Sequence, residues 1–294
     1  MTTSRLLKGS LQRSYDPEID IDWSAPLVED RFFAPPQASA LYGSRLWDSL
    51  TREQQIEVTR CEVANLLNFG IWVETAFMVF LARNSLNWTY ASDRMRYTLT
   101  ELGDETRHST MFSMALEKID RGQFRFRLPE RAIVRGMLTH CPEALSFVAV
   151  LFVEEIFDAL QREGARDETI QPLTRMVYKI HVTEEARHMS FARQELGKII
   201  PTLNWFQRQF MAMGVAVGIR FIERCWLMPQ VYARAGLDGR EAARAARRNP
   251  VRRRYYQQKI DKFVPFYREL GLITPLSTLV WKLFGYTPGG SRAA

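Results

Sequence analysis

The chain has 294 residues, of which 46% are hydrophobic and 12% aromatic, ample for one sizeable core, so one domain with extensions is expected. Three widely spaced cysteines, Cys61, Cys141 and Cys225, exclude a disulfide framework and a thiolate metal site and point to a reducing cytoplasm. The net charge of +7 is uneven: Arg234, Arg240, Arg244, Arg247, Arg248, Arg252, Arg253 and Arg254 crowd one stretch, either as a solvated helical face or as a surface for an anionic partner. No nucleic-acid motif accompanies them, so an acidic protein is the better expectation.

Residues 1–13 hold no apolar run of signal-peptide length, and Pro17, Pro26, Pro35 and Pro36 mark residues 1–45 as an irregular arm. From there the text is helical, with apolar periodicity and no alternating β-branched run; the predicted helices are 46–59, 60–85, 93–119, 129–138, 142–164, 167–199, 203–232, 238–248 and 250–270. The apolar run Phe210–Ile219 stops at Arg220, about half a bilayer span, so no membrane segment is expected. The helical domain thus spans 46–270, and 271–294 form a C-terminal tail.

A carboxylate–histidine pattern occurs twice: Glu74, Glu105 and His108, then Glu154, Glu185 and His188, at one offset of 80 residues (154−74, 185−105, 188−108). The flanks repeat too, Trp72-Val73-Glu74 answering Phe152-Val153-Glu154, and Glu105-Thr106-Arg107-His108 answering Glu185-Ala186-Arg187-His188. On a helix, residues three apart share a face, so each E-x-x-H can grip one ion. Two helical hairpins would then pair into a four-helix bundle offering four glutamates and two imidazoles to two metal ions, the ligand set of ferritin-like di-metal proteins. Oxygen-rich ligation with imidazole suits iron first and manganese second. Glu74 and Glu154 interrupt strongly apolar text, where an unpaired carboxylate would be costly and metal ligation would remove the cost.

The register selects Glu154 over Glu155 and Glu185 over Glu184, leaving Glu155 and Glu184 beside the centre or facing solvent. His181, one turn before Glu185, replaces the Glu101 of the first half; spacing allows it as a third imidazole or as a core histidine bonded to a ligand. Asp158 and Glu101, one turn from the ligands, are candidates to orient a histidine ring. Arg107 and Arg187 repeat in register and are expected to pair with carboxylates at the back of the bundle. His140 stands before Pro142, off the constellation.

The set Glu74, Glu105-x-x-His108, Glu154 and His181-x-x-x-Glu185-x-x-His188 resembles the di-iron arylamine N-oxygenases typified by p-aminobenzoate N-oxygenase, over roughly residues 45–232. The resemblance implies that His181 is also an iron ligand and that O2 is used at two irons to oxidise an amine nitrogen. Leu67, Gly70, Ile71, Phe77, Met78, Phe112, Phe147, Val150, Leu151 and Phe157 lie near the ligands and suggest an apolar pocket for an aromatic amine, with no arginine beside Glu74 or Glu154 to anchor a substrate carboxylate. A C-hydroxylase or desaturase is the nearest rival; a ferroxidase or an RNA-directed oxygenase using the arginine-rich segment is further off. No flavin or nicotinamide fingerprint is present, so a separate reductase or small redox protein is expected as electron donor, and the helical faces suit a homodimer.

Overall fold

The computed structural model describes residues 3–289, and every regular element within them is helical. The arm opens with α1 (Thr3–Gln12) and α2 (Pro17–Asp20), passes a single 3-10 turn at Pro36–Ala38, and reaches α3 (Arg45–Asp48). Two long pairs follow: α4 (Arg52–Ser85) with α5 (Asp93–Ile119), then, after α6 (Leu128–His140), α7 (Glu143–Gly164) with α8 (Pro172–Ile199). The chain closes with α9 (Trp205–Trp226), α10 (Pro229–Arg234), α11 (Gly239–Arg248), α12 (Pro250–Glu269) and α13 (Pro275–Leu283).

The boundaries follow local chemistry. Thr51 and Gln54 form a capping box that starts α4, and Ser92 accepts from the Met95 amide to start α5. The two helices expected over 46–59 and 60–85 are the short α3 and one 34-residue helix, because Thr51 is the only strong cap in that stretch. The helix expected from 167 begins at Pro172, whose missing amide is harmless in the first turn, and the one expected over 203–232 breaks at Leu227 before Pro229.

α4 packs on α5 and α7 on α8, and the two hairpins meet through α5 with α8 and α4 with α7, giving the expected four-helix bundle. α9 crosses α4 and α7, and α13 seals α9 by burying Trp281. α4 is long and apolar enough to cross a membrane, yet 67% of its most apolar window is buried inside this bundle, where it carries Glu74. The arm is more ordered than an irregular strap: α1 buries Leu6 and packs on α5 and α8. Within the predicted tail α13 is a capped helix, and residues 290–294 lie outside the described residues.

Candidate metal centre

Four helices bring the predicted residues to one point: Glu74 from α4, Glu105 and His108 from α5, Glu154 from α7, and His181, Glu185 and His188 from α8. All seven are at most 2% exposed. Their ligand atoms fall into three overlapping groups, Glu105–His108–Glu185–His188, Glu74–His108–His181 and Glu154–His181–Glu185, each with its atoms within 4.8 Å of one another.

Glu105 and Glu185 sit between the two histidines. His108 Nδ1 lies 3.3 Å from Glu105 and 3.1 Å from Glu185, and His188 Nδ1 lies 3.2 Å from Glu105 and 2.9 Å from Glu185. His181 Nε2 lies 3.1 Å from Glu74 Oε1 and 3.8 Å from Glu185, and its ring centroid is 4.8 Å from that of His108. The replacement of the Glu101 equivalent by His181 therefore places a third imidazole in the cluster.

The outer nitrogens are held by carboxylates on the opposite hairpin. Glu184 Oε2 accepts from His108 Nε2 at 2.9 Å, and Asp104 Oδ2 accepts from His188 Nε2 at 3.0 Å. With Nε2 so engaged, each Nδ1 is aimed at the centre. Asp104 was not among the expected orienting acids, although the signal was present: Asp104 and Glu184 share the offset of 80 (184−104) and directly precede the ligand glutamates. Arg107 pairs with Asp104, and Arg187 lies 3.6 Å from Asp104 and 3.5 Å from Glu184, so both arginines do brace carboxylates at the back. The arm completes this layer, as the Tyr15 amide donates to Glu184 at 3.1 Å and Arg107 donates to Ser14.

Other candidates stand elsewhere. Asp158 pairs with Arg162 toward the surface and does not orient a histidine; Glu155 pairs with Arg193; His140 is exposed beside Thr139. Glu101 is buried with Oε2 unpartnered, and the histidine-holding role falls to the next acid along, Asp104.

Burial, then repulsion from Glu105, Glu154 and Glu185, holds Glu74 well above the carboxylate range, and burial followed by Glu185 and Glu105 does the same to Glu154. Burial opposes the charged forms of Glu105 and Glu185 as well, yet the facing histidines outweigh it and hold both low. Burial would also lower the histidines, but hydrogen bonds donated to Glu105, Glu184 and Glu185 lift His108 well above its usual range, and the charges of Glu185, Glu105 and Glu101 lift His188. For His181 burial wins, pushing it down to about 3. The cluster thus favours the protonated forms of Glu74, Glu154, His108 and His188 and the unprotonated forms of Glu105, Glu185 and His181.

Metal ions fit this donor set. Glu74 Oε2, both oxygens of Glu154, His181 Nδ1 and Glu185 Oε2 are buried without a hydrogen-bond partner, which is costly unless cations sit among them. The donors are carboxylate oxygen and imidazole nitrogen, with the free thiols of Cys61, Cys141 and Cys225 elsewhere.

The surroundings are apolar. A Cβ on Gly70 would meet the Phe112 ring at 2.8 Å, so glycine there lets Phe112 lie 4.9 Å from the His181 ring; Phe157 flanks it at 6.2 Å. Of the other residues expected to line a pocket, Leu67, Phe77, Phe147, Val150 and Leu151 are buried in the core, and Ile71 and Met78 are half-buried.

Comparison with known proteins agrees with this geometry. The family described as P-aminobenzoate N-oxygenase AurF matches residues 1–271, so the likeness extends through the arm and the arginine-rich segment, beyond the 45–232 that carry the motif. Similar chains include the uncharacterized proteins Rv0885 and MT0908 of Mycobacterium tuberculosis (strains ATCC 25618 / H37Rv and CDC 1551 / Oshkosh) and Mb0909 of Mycobacterium bovis (strain ATCC BAA-935 / AF2122/97). Each is 29% identical over 300 aligned positions, covering 95% of this chain and 84% of the relative. With a ferritin-like bundle and a buried cluster of four glutamates and three histidines, the chain belongs to the P-aminobenzoate N-oxygenase AurF family and is a non-haem di-iron monooxygenase.

Proposed function

We propose that Glu74, Glu105, His108, Glu154, His181, Glu185 and His188 hold two iron ions, and that the protein uses O2 to oxidise the nitrogen of an apolar aromatic amine. The observation that carries this reading is the set of buried, unpartnered carboxylate oxygens on Glu74, Glu154 and Glu185, clustered with His108, His181 and His188. Bound iron would supply the redox chemistry with O2. The chain's own residues set the geometry: Asp104 and Glu184 fix the ring orientation of His188 and His108, and Phe112 and Phe157 exclude water beside His181.

A neutral amine fits apolar walls better than a charged substrate, since burying an unpaired charge is expensive. The test is metal analysis of protein grown with iron, then product analysis with O2, an electron source, and either arylamines or hydrocarbons of matched size. Two irons per chain and hydroxylamine, nitroso or nitro products are expected. Hydroxylated or desaturated carbon as the sole product would move the reaction to carbon, and zinc or no metal would overturn the assignment. Three reduced, buried cysteines suit a cytoplasmic setting, and a separate redox protein is the proposed source of electrons.

A further inference from the structure

Three of the eight arginines in the segment 234–254 are taken up by the fold. Arg252 is buried against Glu223, Arg234 donates to the Arg121 and Gln123 carbonyls, and Arg247 donates to the Leu227 carbonyl. A second set stands earlier and, unlike the exposed Arg240, Arg244, Arg248, Arg253 and Arg254, surrounds a groove: Arg125, Arg127, Arg131 and Arg135 are exposed, and none pairs with a carboxylate among the described residues. Glu130, the acid of α6, is the only buried residue of that helix and is turned inward to Arg224.

α6 stands off the bundle with a groove on each side, of about 650 and 720 Å³, and Trp72 and Arg131 line both. Arg135 lines one and Arg125 the other, and neither groove is lined by an Asp or Glu. Leu128 and Ile133 are exposed on the same helix. A surface with this much uncompensated positive charge around an apolar floor is complementary to an acidic protein.

The floor also connects to the metal centre. Half-buried Trp72 stacks on Phe126 with centroids 4.4 Å apart and meets Phe69 at 6.2 Å. Phe69 stacks on Phe157 at 5.7 Å, and Phe157 lies 6.2 Å from His181. Aromatic rings at pair-contact separations therefore run from the groove to His181.

Resting on the di-iron reading above, we propose that the groove over Trp72, flanked by Arg125, Arg131 and Arg135, is the docking face for an acidic one-electron carrier protein. Its electrons enter along Trp72, Phe69 and Phe157 to His181. Each docking oxidises the carrier by one electron and reduces the metal pair by one, so two dockings take two ferric ions to ferrous, and no atom is transferred.

The test uses the iron-loaded full chain and an acidic two-iron two-sulfur ferredoxin as probe, with two readouts: ferredoxin binding at low salt, and anaerobic reduction by ferredoxin or by dithionite. The triple variant Arg125→Glu, Arg131→Glu, Arg135→Glu is expected to bind ferredoxin at least about tenfold more weakly and to be reduced by it correspondingly more slowly, with dithionite reduction unchanged. Reversal of Arg240, Arg248 and Arg254 is expected to leave binding alone. Trp72→Leu is expected to slow reduction at saturating ferredoxin, and Trp72→Phe to restore most of the rate. Unchanged binding in the first triple variant, or loss only in the second, overturns the docking face; an unchanged rate in Trp72→Leu overturns the route. Failure of dithionite to reduce the wild type would instead overturn the di-iron reading, while the binding readout still decides the docking face.

Discussion

Asp104 and Glu184 show how much a single position adjacent to a ligand can matter. Each directly precedes a clustered glutamate on its helix and reaches across to the other hairpin's histidine, so the two E-x-x-H grips lock one another. Asp104→Asn and Glu184→Gln remove the charge that fixes the ring and are expected to lower metal affinity about 10- to 100-fold with the fold retained, measured by metal titration and circular dichroism. His181→Ala should leave one of two metals weakly bound and change the reaction with O2; full iron content with unchanged O2 reactivity would remove His181 from the site. Glu185→Ala should be more damaging, because Glu185 faces His108, His188 and, at 3.8 Å, His181; wild-type iron occupancy in that variant would sink its assignment. At this scale the sequence was highly legible, since a fixed offset is visible without coordinates. What it hid was direction: spacing pointed to Glu101 and Asp158, and only the crossing of α5 with α8 makes Asp104 the histidine partner and leaves Asp158 a surface acid.

At the scale of elements, α4 must be both a long, apolar core helix and the bearer of Glu74, and Gly70 marks a close approach of Phe112 to it. Gly70→Ala places a methyl against Phe112 and is expected to cost about 1–3 kcal/mol by overpacking, read from chemical denaturation, and to disturb the His181 environment as well. The arm matters through α1 and the segment after it: Leu6 is buried, and the Tyr15 amide bonds Glu184. Deletion of residues 1–16 should therefore lower both the melting temperature and the metal affinity while leaving the bundle helical, because the arm's removal opens the layer behind His108 to water. Proline-rich text suggested an irregular arm, and the prolines do sit at turns; α1 escaped notice because it holds few apolar residues and its order comes from docking on α5 and α8. The same limit applies to the merged α4, where no local cap divides the helix.

For the molecule as a whole, the clustered charges set the response to pH. Glu74 and Glu154, raised well above their usual values, bind more protons folded than unfolded, so in the metal-free protein their contribution falls as pH rises through the window above the usual carboxylate range. Glu62, pushed up to about 7 by desolvation, acts in the same direction. His108 and His188, also raised, stabilise fully below about 6.5, the ordinary imidazole value, and lose that contribution as pH climbs through their folded values. His181, lowered to about 3, runs the other way, but its contribution is complete above about 6.5. Lowered Glu105, Glu185 and Asp104 matter only in acid. Between about pH 6.5 and 8.5 the metal-free protein should therefore lose stability. Metal binding displaces these protons, so affinity should rise over the same range, and a hundredfold excess over Kd should add about 2.7 kcal/mol. Thermal melts with and without Mn(II) at both pH values check the sign; a metal-free melting temperature that rises with pH would contradict it.

The sequence by itself determined the helical class, the two-hairpin bundle and which seven carboxylates and imidazoles meet at its centre, because helical periodicity and the spacing of acids and histidines are properties of the chain alone. The surface was decided otherwise. Arginines in 234–254 and in 125–135 look alike as text, yet Arg234, Arg247 and Arg252 meet carbonyls or a buried acid while Arg125, Arg131 and Arg135 line open grooves over Trp72. Which charges are satisfied, and which acid reaches which histidine, depends on groups brought together from distant parts of the chain, and only tertiary packing fixes those distances.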